Sequence, residues 1–123
     1  MRKISNHSIF FTKLVFQAEK LLSKAEPFYI AICSENLGNV YSQLGKYDEG
    51  LSYFKIALDF YLDNNVEPVL ISNTLNNIGG IYRVKKQYDM ALREYDKALS
   101  YIGKEEIYIS EKFGILNSIA DVY

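Results

Sequence analysis

Sliding the sequence against itself by 41 residues brings long stretches into register, and this repeat constrains the fold more than any other feature. Glu26-Pro27 falls on Glu67-Pro68, Asn36 on Asn77, Gly38 on Gly79 and Tyr41 on Tyr82. Further along, Tyr47-Asp48 lands on Tyr88-Asp89, Leu51 on Leu92, and Ala57-Leu58 on Ala98-Leu99. An incomplete third copy follows, with Ile119, Ala120 and Tyr123 in the places of Leu37, Gly38 and Tyr41. A fixed period between 20 and 50 residues signals structural units that bury their apolar faces on one another.

Each unit reads as two helices. Pro27 and Pro68 suit a first helical turn, where the missing N–H would have no partner in any case. After Pro68, apolar Leu70, Ile71, Leu75, Ile78, Ile81 and Tyr82 recur at steps of three and four residues, the helical period. Gly45 can end the first helix in the left-handed conformation, and Asp48 and Asp89 are good N-caps for the second. The second helices carry stripes of Leu51, Phe54, Ala57 and Tyr61, then Leu92, Tyr95, Ala98 and Ile102. Asn64-Asn65 and Gly103 close them. The pattern predicts helices near 8–24, 28–44, 48–62, 68–85, 89–102 and 107–123, with no strands.

Small residues return at fixed offsets. Glycine within a helix costs about 1 kcal/mol relative to alanine, so Gly38, Gly79 and Ala120 at one repeat position imply a crossing too close for a larger side chain. Ala57 and Ala98 are the matching residues on the second helices.

The pattern resembles the tetratricopeptide repeat family, whose units carry Leu-Gly-x-x-Tyr on the first helix, then Ala-x-x-x-Phe and a later Ala on the second. Leu37, Gly38, Tyr41, Phe54 and Ala57 match it, as do Ile78, Gly79, Tyr82, Ala91, Tyr95 and Ala98. Gly50 replaces the expected Ala of the first unit, and Ser34 and Leu75 stand where the family often has Trp. The period exceeds the family's 34 residues by about two helical turns, which is similar to the long-helix variant of kinesin light chains and of bacterial sensor and regulator proteins. The resemblance implies an all-α fold, a right-handed superhelical stack of antiparallel helix pairs (an α–α solenoid). Units would span 26–66 and 67–107, with an incomplete unit at 108–123. Residues 1–25 fit the repeat poorly, since Phe16 would fall where the small Ala57 stands and Lys13 against Phe54. They read as a tail and capping helix, or alternatively as a degenerate second helix.

In this family the first helices line a concave groove that takes a peptide. The resemblance carries that role to Glu35, Asn36, Asn39 and Gln43, to Asn73, Asn76, Asn77, Gly80 and Arg83, and to Asn117, Ser118 and Asp121. The residues support a polar face independently, because Asn73, Asn76, Asn77 and Gly80 follow the i, i+3, i+4, i+7 course of one helix side. An amide offers donors and acceptors together and can pair with the backbone of an extended peptide whatever its side chains. An ordinary solvated face is the plain alternative. Arg83 is the only cation among these positions, which disfavours an acidic C-terminal tail as ligand. Arg83, Lys85 and Lys86 end a helix, where cations complement the dipole.

The third first-helix, 107–123, carries Ile109, Phe113, Leu116, Ile119 and Tyr123, a self-association surface if nothing covers it. Two outcomes are expected as alternatives: either the chain continues in a longer protein that covers this helix, or the helix pairs with another copy in a homo-dimer.

Composition excludes several classes. The chain has 123 residues, 49% apolar, with net charge −1. That length suits one domain rather than two and gives enough chain for a core, and the charge gives no footprint for nucleic acid. No apolar run approaches the roughly 20 residues of a membrane helix. The Met1-Arg2-Lys3 start lacks the apolar region and cleavage site of a signal peptide, and the one cysteine fits a reducing compartment; a cytoplasmic location is expected. His7 and Cys33 are single and ungrouped, so neither a metal site nor a nucleophile is indicated, and no phosphate-cradling loop occurs. The expectation is a non-catalytic module without cofactor that binds a protein or peptide partner. A sensory or regulatory segment of a larger bacterial signalling protein and a structural dimerisation element are the competing readings.

Overall fold

The computed structural model describes residues 6–21, 27–103 and 105–123, with side chains of 18–21 excepted. The Met1–Lys3 start, Glu26 and the last residues expected in the first helix lie outside them. The described residues are all-α: α1 (Asn6–Leu21), α2 (Pro27–Gln43), α3 (Tyr47–Asp63), α4 (Pro68–Val84), α5 (Tyr88–Ile102) and α6 (Ile109–Val122), the last preceded by a 3-10 turn at Glu106–Tyr108. No strand occurs among them.

The chain divides into two compact units, 1–63 and 64–123. A repeat buries its apolar face against immediate neighbours, so each unit has its own core. In the first, α2 and α3 are antiparallel: Gly50 lies against Ser42, Phe54 against Gly38, and Tyr61 against Glu35. In the second, Tyr95 and Ala98 of α5 meet Gly79 and Ser72 of α4 in the same opposed order. Phe54, Ala57 and Tyr61, and Tyr95, Ala98 and Ile102, are all essentially inaccessible to water. Each large side chain among them contributes about 1.5–3 kcal/mol by burial.

The glycines explain how close the pairs come. A Cβ built on Gly38 would stand 2.7 Å from the Phe54 ring, and one on Gly79 would stand 2.5 Å from the Tyr95 ring. The crowding partner is thus an aromatic ring of the second helix, where a backbone crossing was expected. Backbone does approach backbone at Gly50, whose Cβ would meet Ser42 Oγ at 2.6 Å and Gly38 O at 3.1 Å. Ser42 Oγ already donates to Gly38 O at 2.7 Å, which accounts for glycine where Ala91 stands in the second unit.

Both first helices end in the same two-bond motif. Lys46 N donates to Tyr41 O and Gly45 N to Ser42 O; Gln87 N donates to Tyr82 O and Lys86 N to Arg83 O. This is the Schellman arrangement, with Gly45 and Lys86 in the left-handed region at φ 80° and 63°. The chain passes directly into the next helix, so α3 and α5 start at Tyr47 and Tyr88. The expected N-cap role of Asp48 and Asp89 is therefore not seen. They lie in the first turn, where their charge complements the helix dipole.

In the first unit α1 packs on α2. Phe16 joins Cys33, Leu37 and Tyr41 in one cluster, flanked by Ile9, Ile30 and Tyr53. Phe16 meets Tyr53 edge-on at 6.3 Å, Tyr41 and Tyr53 stack at 5.5 Å, and the Lys13 ammonium lies 5.2 Å from the Tyr41 ring centre. Cys33 is buried in this cluster and packs as a small hydrophobe. In the second unit α6 packs on α5 and touches α4, with Ile115 its buried residue.

Candidate functional site

The polar positions of the first helices divide by burial. On α2, Asn36, Asn39 and Gln43 are exposed and follow an i, i+3, i+7 course along one side. Glu35 is half-buried and turned to the neighbouring helix, its Oε2 accepting from the Tyr61 hydroxyl at 2.9 Å. Burial, with this hydrogen bond, pushes the Tyr61 phenol above its ordinary pKa. The Glu35–Tyr61 bond is not legible from repeat spacing, because the second unit has Asn76 and Ile102 at the corresponding positions.

On α4, Asn73 is exposed, and Asn76, Asn77, Gly80 and Arg83 are half-buried. Two atoms here have no hydrogen-bond partner among the described residues: Asn76 Oδ1 and Arg83 Nε, both buried. Seven residues apart, they lie on one side of α4, about 10 Å from each other along the axis. On α6, Asn117 and Asp121 are exposed and Ser118 is half-buried, its Oγ donating to Gly114 O. Because α4 and α6 touch within one unit, their polar positions belong to a single body.

These helices carry the Leu-Gly-x-x-Tyr pattern, and a family model described as Tetratricopeptide repeat matches residues 34–64 and 72–104, more than half of the chain. The chain belongs to the tetratricopeptide repeat family. Tetratricopeptide repeats generally mediate protein–protein interaction. The two matches run from within α2 to the end of α3 and from within α4 to just past α5, so α1 and α6 lie outside the matched repeats. No curated protein matches the chain significantly.

Repeat proteins of this kind are typically non-catalytic. Among the described residues no group of three or more His, Cys, Asp or Glu could hold a metal ion, and no helix is long and apolar enough to cross a membrane. A shallow depression of about 300 Å³ at the α4–α5 turn is lined by consecutive, exposed residues from Lys86 to Met90. It follows from the turn and brings no distant side chains together.

The expected self-association residues separate into two sets. Ile109, Phe113, Leu116 and Tyr123 are exposed, at 56%, 61%, 49% and 91%. Ile119 is half-buried, on the side of α6 that carries buried Ile115, and Ala120 takes its place on the exposed stripe.

Proposed function

We propose that this tetratricopeptide repeat chain is a non-catalytic module that holds an extended peptide of a protein partner against its Asn-rich first helices. The observation that carries this reading is the α4 stripe: exposed Asn73, then Asn76 Oδ1 and Arg83 Nε, buried and without partners. An unsatisfied buried polar atom costs about 1–3 kcal/mol. Reorienting these two half-buried side chains toward a bound chain offsets that cost, so binding recovers energy the unbound protein forgoes. The roughly 10 Å between them matches about three residues of extended backbone, which offers both N–H donors and C=O acceptors. Asn77 on α4, with Asn117 and Asp121 on α6, extends the polar surface within the same unit, and Asn36, Asn39 and Gln43 give α2 a polar side of similar character.

An array of extended peptides probed with the purified chain tests this. The discriminating variant replaces the exposed or half-exposed amides Asn36, Asn39, Asn73 and Asn77 by alanine together. Asn76 is left intact because its burial would mix stability with binding. Loss of most array signal, with helicity and thermal midpoint retained, is the expected result. Equal capture by the variant rejects the site.

A further inference from the structure

The turn from α4 to α5 keeps the backbone of its counterpart between α2 and α3 and reverses its charge. Residues 42–49 carry Lys46 against Asp48 and Glu49, net −1, whereas residues 83–90 carry Arg83, Lys85 and Lys86 against Asp89, net +2. The same two-bond closure forms with either sign, and α2 ends with no basic residue in its last turn. Complementing the helix dipole therefore does not require the cations that end α4.

Lys86 sharpens the point. It is held at φ 63°, where the first unit places Gly45 at φ 80°. The strain of a lysine in this conformation exceeds what an exposed cation gains near a helix end. Strain of this kind is found where a side chain serves a ligand. Arg83 supplies an independent observation: its Nε is buried and has no hydrogen-bond partner among the described residues. Lys86 N donates to Arg83 O at 2.9 Å, so the two cations stand at the ends of one turn, their Cα atoms less than about 7 Å apart. Neither forms an ion pair among the described residues. Arg83 follows Asn76 by two helical turns on the same side of α4, so the basic turn closes one end of the polar stripe.

We propose that this turn seats a single Asp or Glu side chain of the peptide held along α4, a proposal that rests on the groove reading above. Arg83 presents the Nε edge of its guanidinium, a planar donor pair suited to a carboxylate, and Lys86 adds a point charge. Asp89 in the turn and Asp121 on α6 disfavour a run of acidic residues. The seat fixes register: the carboxylate lies about 10 Å, or three extended residues, from the peptide group facing Asn76.

The test uses an array of short peptides with acetylated and amidated ends, so that no terminal charge enters. Each peptide is made with Glu, with Gln and with Lys at one position. Among peptides that the wild-type chain captures, the Glu form should bind about tenfold more tightly than the Gln form, and the Lys form most weakly. Raising salt from about 0.05 M to about 0.5 M should bring the Glu-to-Gln ratio toward one. Lys86→Gly relieves backbone strain and should nonetheless lower that ratio several-fold; Arg83→Gln should remove most of the remainder. A lysine that serves only the fold would leave the ratio as it is. Equal capture of Glu and Gln forms overturns the carboxylate seat and leaves the groove standing. A preference for Glu that survives both substitutions also overturns it, since the carboxylate then binds elsewhere. If no peptide is captured in any form, the groove reading fails and the seat fails with it.

Discussion

The Tyr61 hydroxyl donates to Glu35 Oε2 at 2.9 Å, joining the last turn of α3 to the middle of α2. The corresponding pair in the second unit is Asn76 and Ile102, and there the first-helix side chain keeps a buried Oδ1 with no partner among the described residues. One repeat position thus holds the unit together in one copy and stores an unsatisfied acceptor in the other.

Tyr61→Phe removes the donor and leaves a half-buried carboxylate short of one bond. Hydrogen bonds to charged groups contribute about 1.5–3 kcal/mol, so the urea midpoint at neutral pH should fall by the equivalent of about 1.5–2 kcal/mol. The phenol is held above its usual pKa in the folded state by burial and by Glu35. Its contribution is fully present below about pH 10, where the unfolded tyrosine titrates, and is lost as pH rises through the higher folded value. The difference between wild type and Tyr61→Phe should therefore shrink on going from neutral pH to above about pH 10. A difference that grows with pH contradicts the bond.

Gly79→Ala sets a methyl group 2.5 Å from a ring that is 1% exposed. Overpacking of this kind costs about 1–3 kcal/mol, against a gain of up to about 1 kcal/mol in helix propensity. The net result should be a destabilisation of about 1–2 kcal/mol. In the double variant Gly79→Ala/Tyr95→Leu the two changes should be less than additive, because the smaller side chain leaves room for the methyl. Additive effects in a denaturant double-mutant cycle would falsify the ring-over-glycine contact.

The 41-residue self-match locates the helices because each repeat position solves the same local packing problem twice. Pro27, Pro68, Gly45 and Gly103 mark helix ends within a residue or so of where they occur. Asp48 and Asp89 mislead because a Schellman turn already ends one helix and launches the next, leaving no place for a side-chain cap. Gly38 and Gly79 are legible as a crowded contact, but not the identity of the crowding group, since an aromatic three-dimensional neighbour has no fixed sequence offset. At the site, exposed Asn36, Asn39 and Asn73 follow from helical periodicity. The tie between Glu35 and Tyr61 does not, because it depends on a residue 26 positions away that the second unit lacks.

Gly45 and Lys86 occupy the same left-handed turn position, one as the residue that adopts it without strain and the other as one that does not. For a non-glycine residue this conformation costs about 1–2 kcal/mol. Lys86→Gly should therefore stabilise the second unit by about 0.5–1 kcal/mol after the added chain entropy of glycine. Gly45→Ala should destabilise the first by about 1 kcal/mol. Since nothing lies within 4 Å of a Cβ at Gly45, its effect reports backbone conformation alone. Opposite signs in thermal unfolding are the expected signature.

Asn76→Leu should raise stability while lowering peptide capture. Removing a buried acceptor without a partner relieves about 1–3 kcal/mol, and leucine is the better helix former, so a net gain of about 1 kcal/mol is expected. Ser34→Ala is the matched control. Ser34 Oγ is likewise buried and unsatisfied, but the residue is wholly inaccessible and lies off the polar side of α2. Its replacement should stabilise by a similar amount and leave capture unchanged. If both variants gain stability and only Asn76→Leu loses binding, the unsatisfied acceptor on α4 is retained for the ligand at the expense of the fold. If Asn76→Leu captures peptides as wild type does, that acceptor has no part in recognition and the site shifts to the exposed amides.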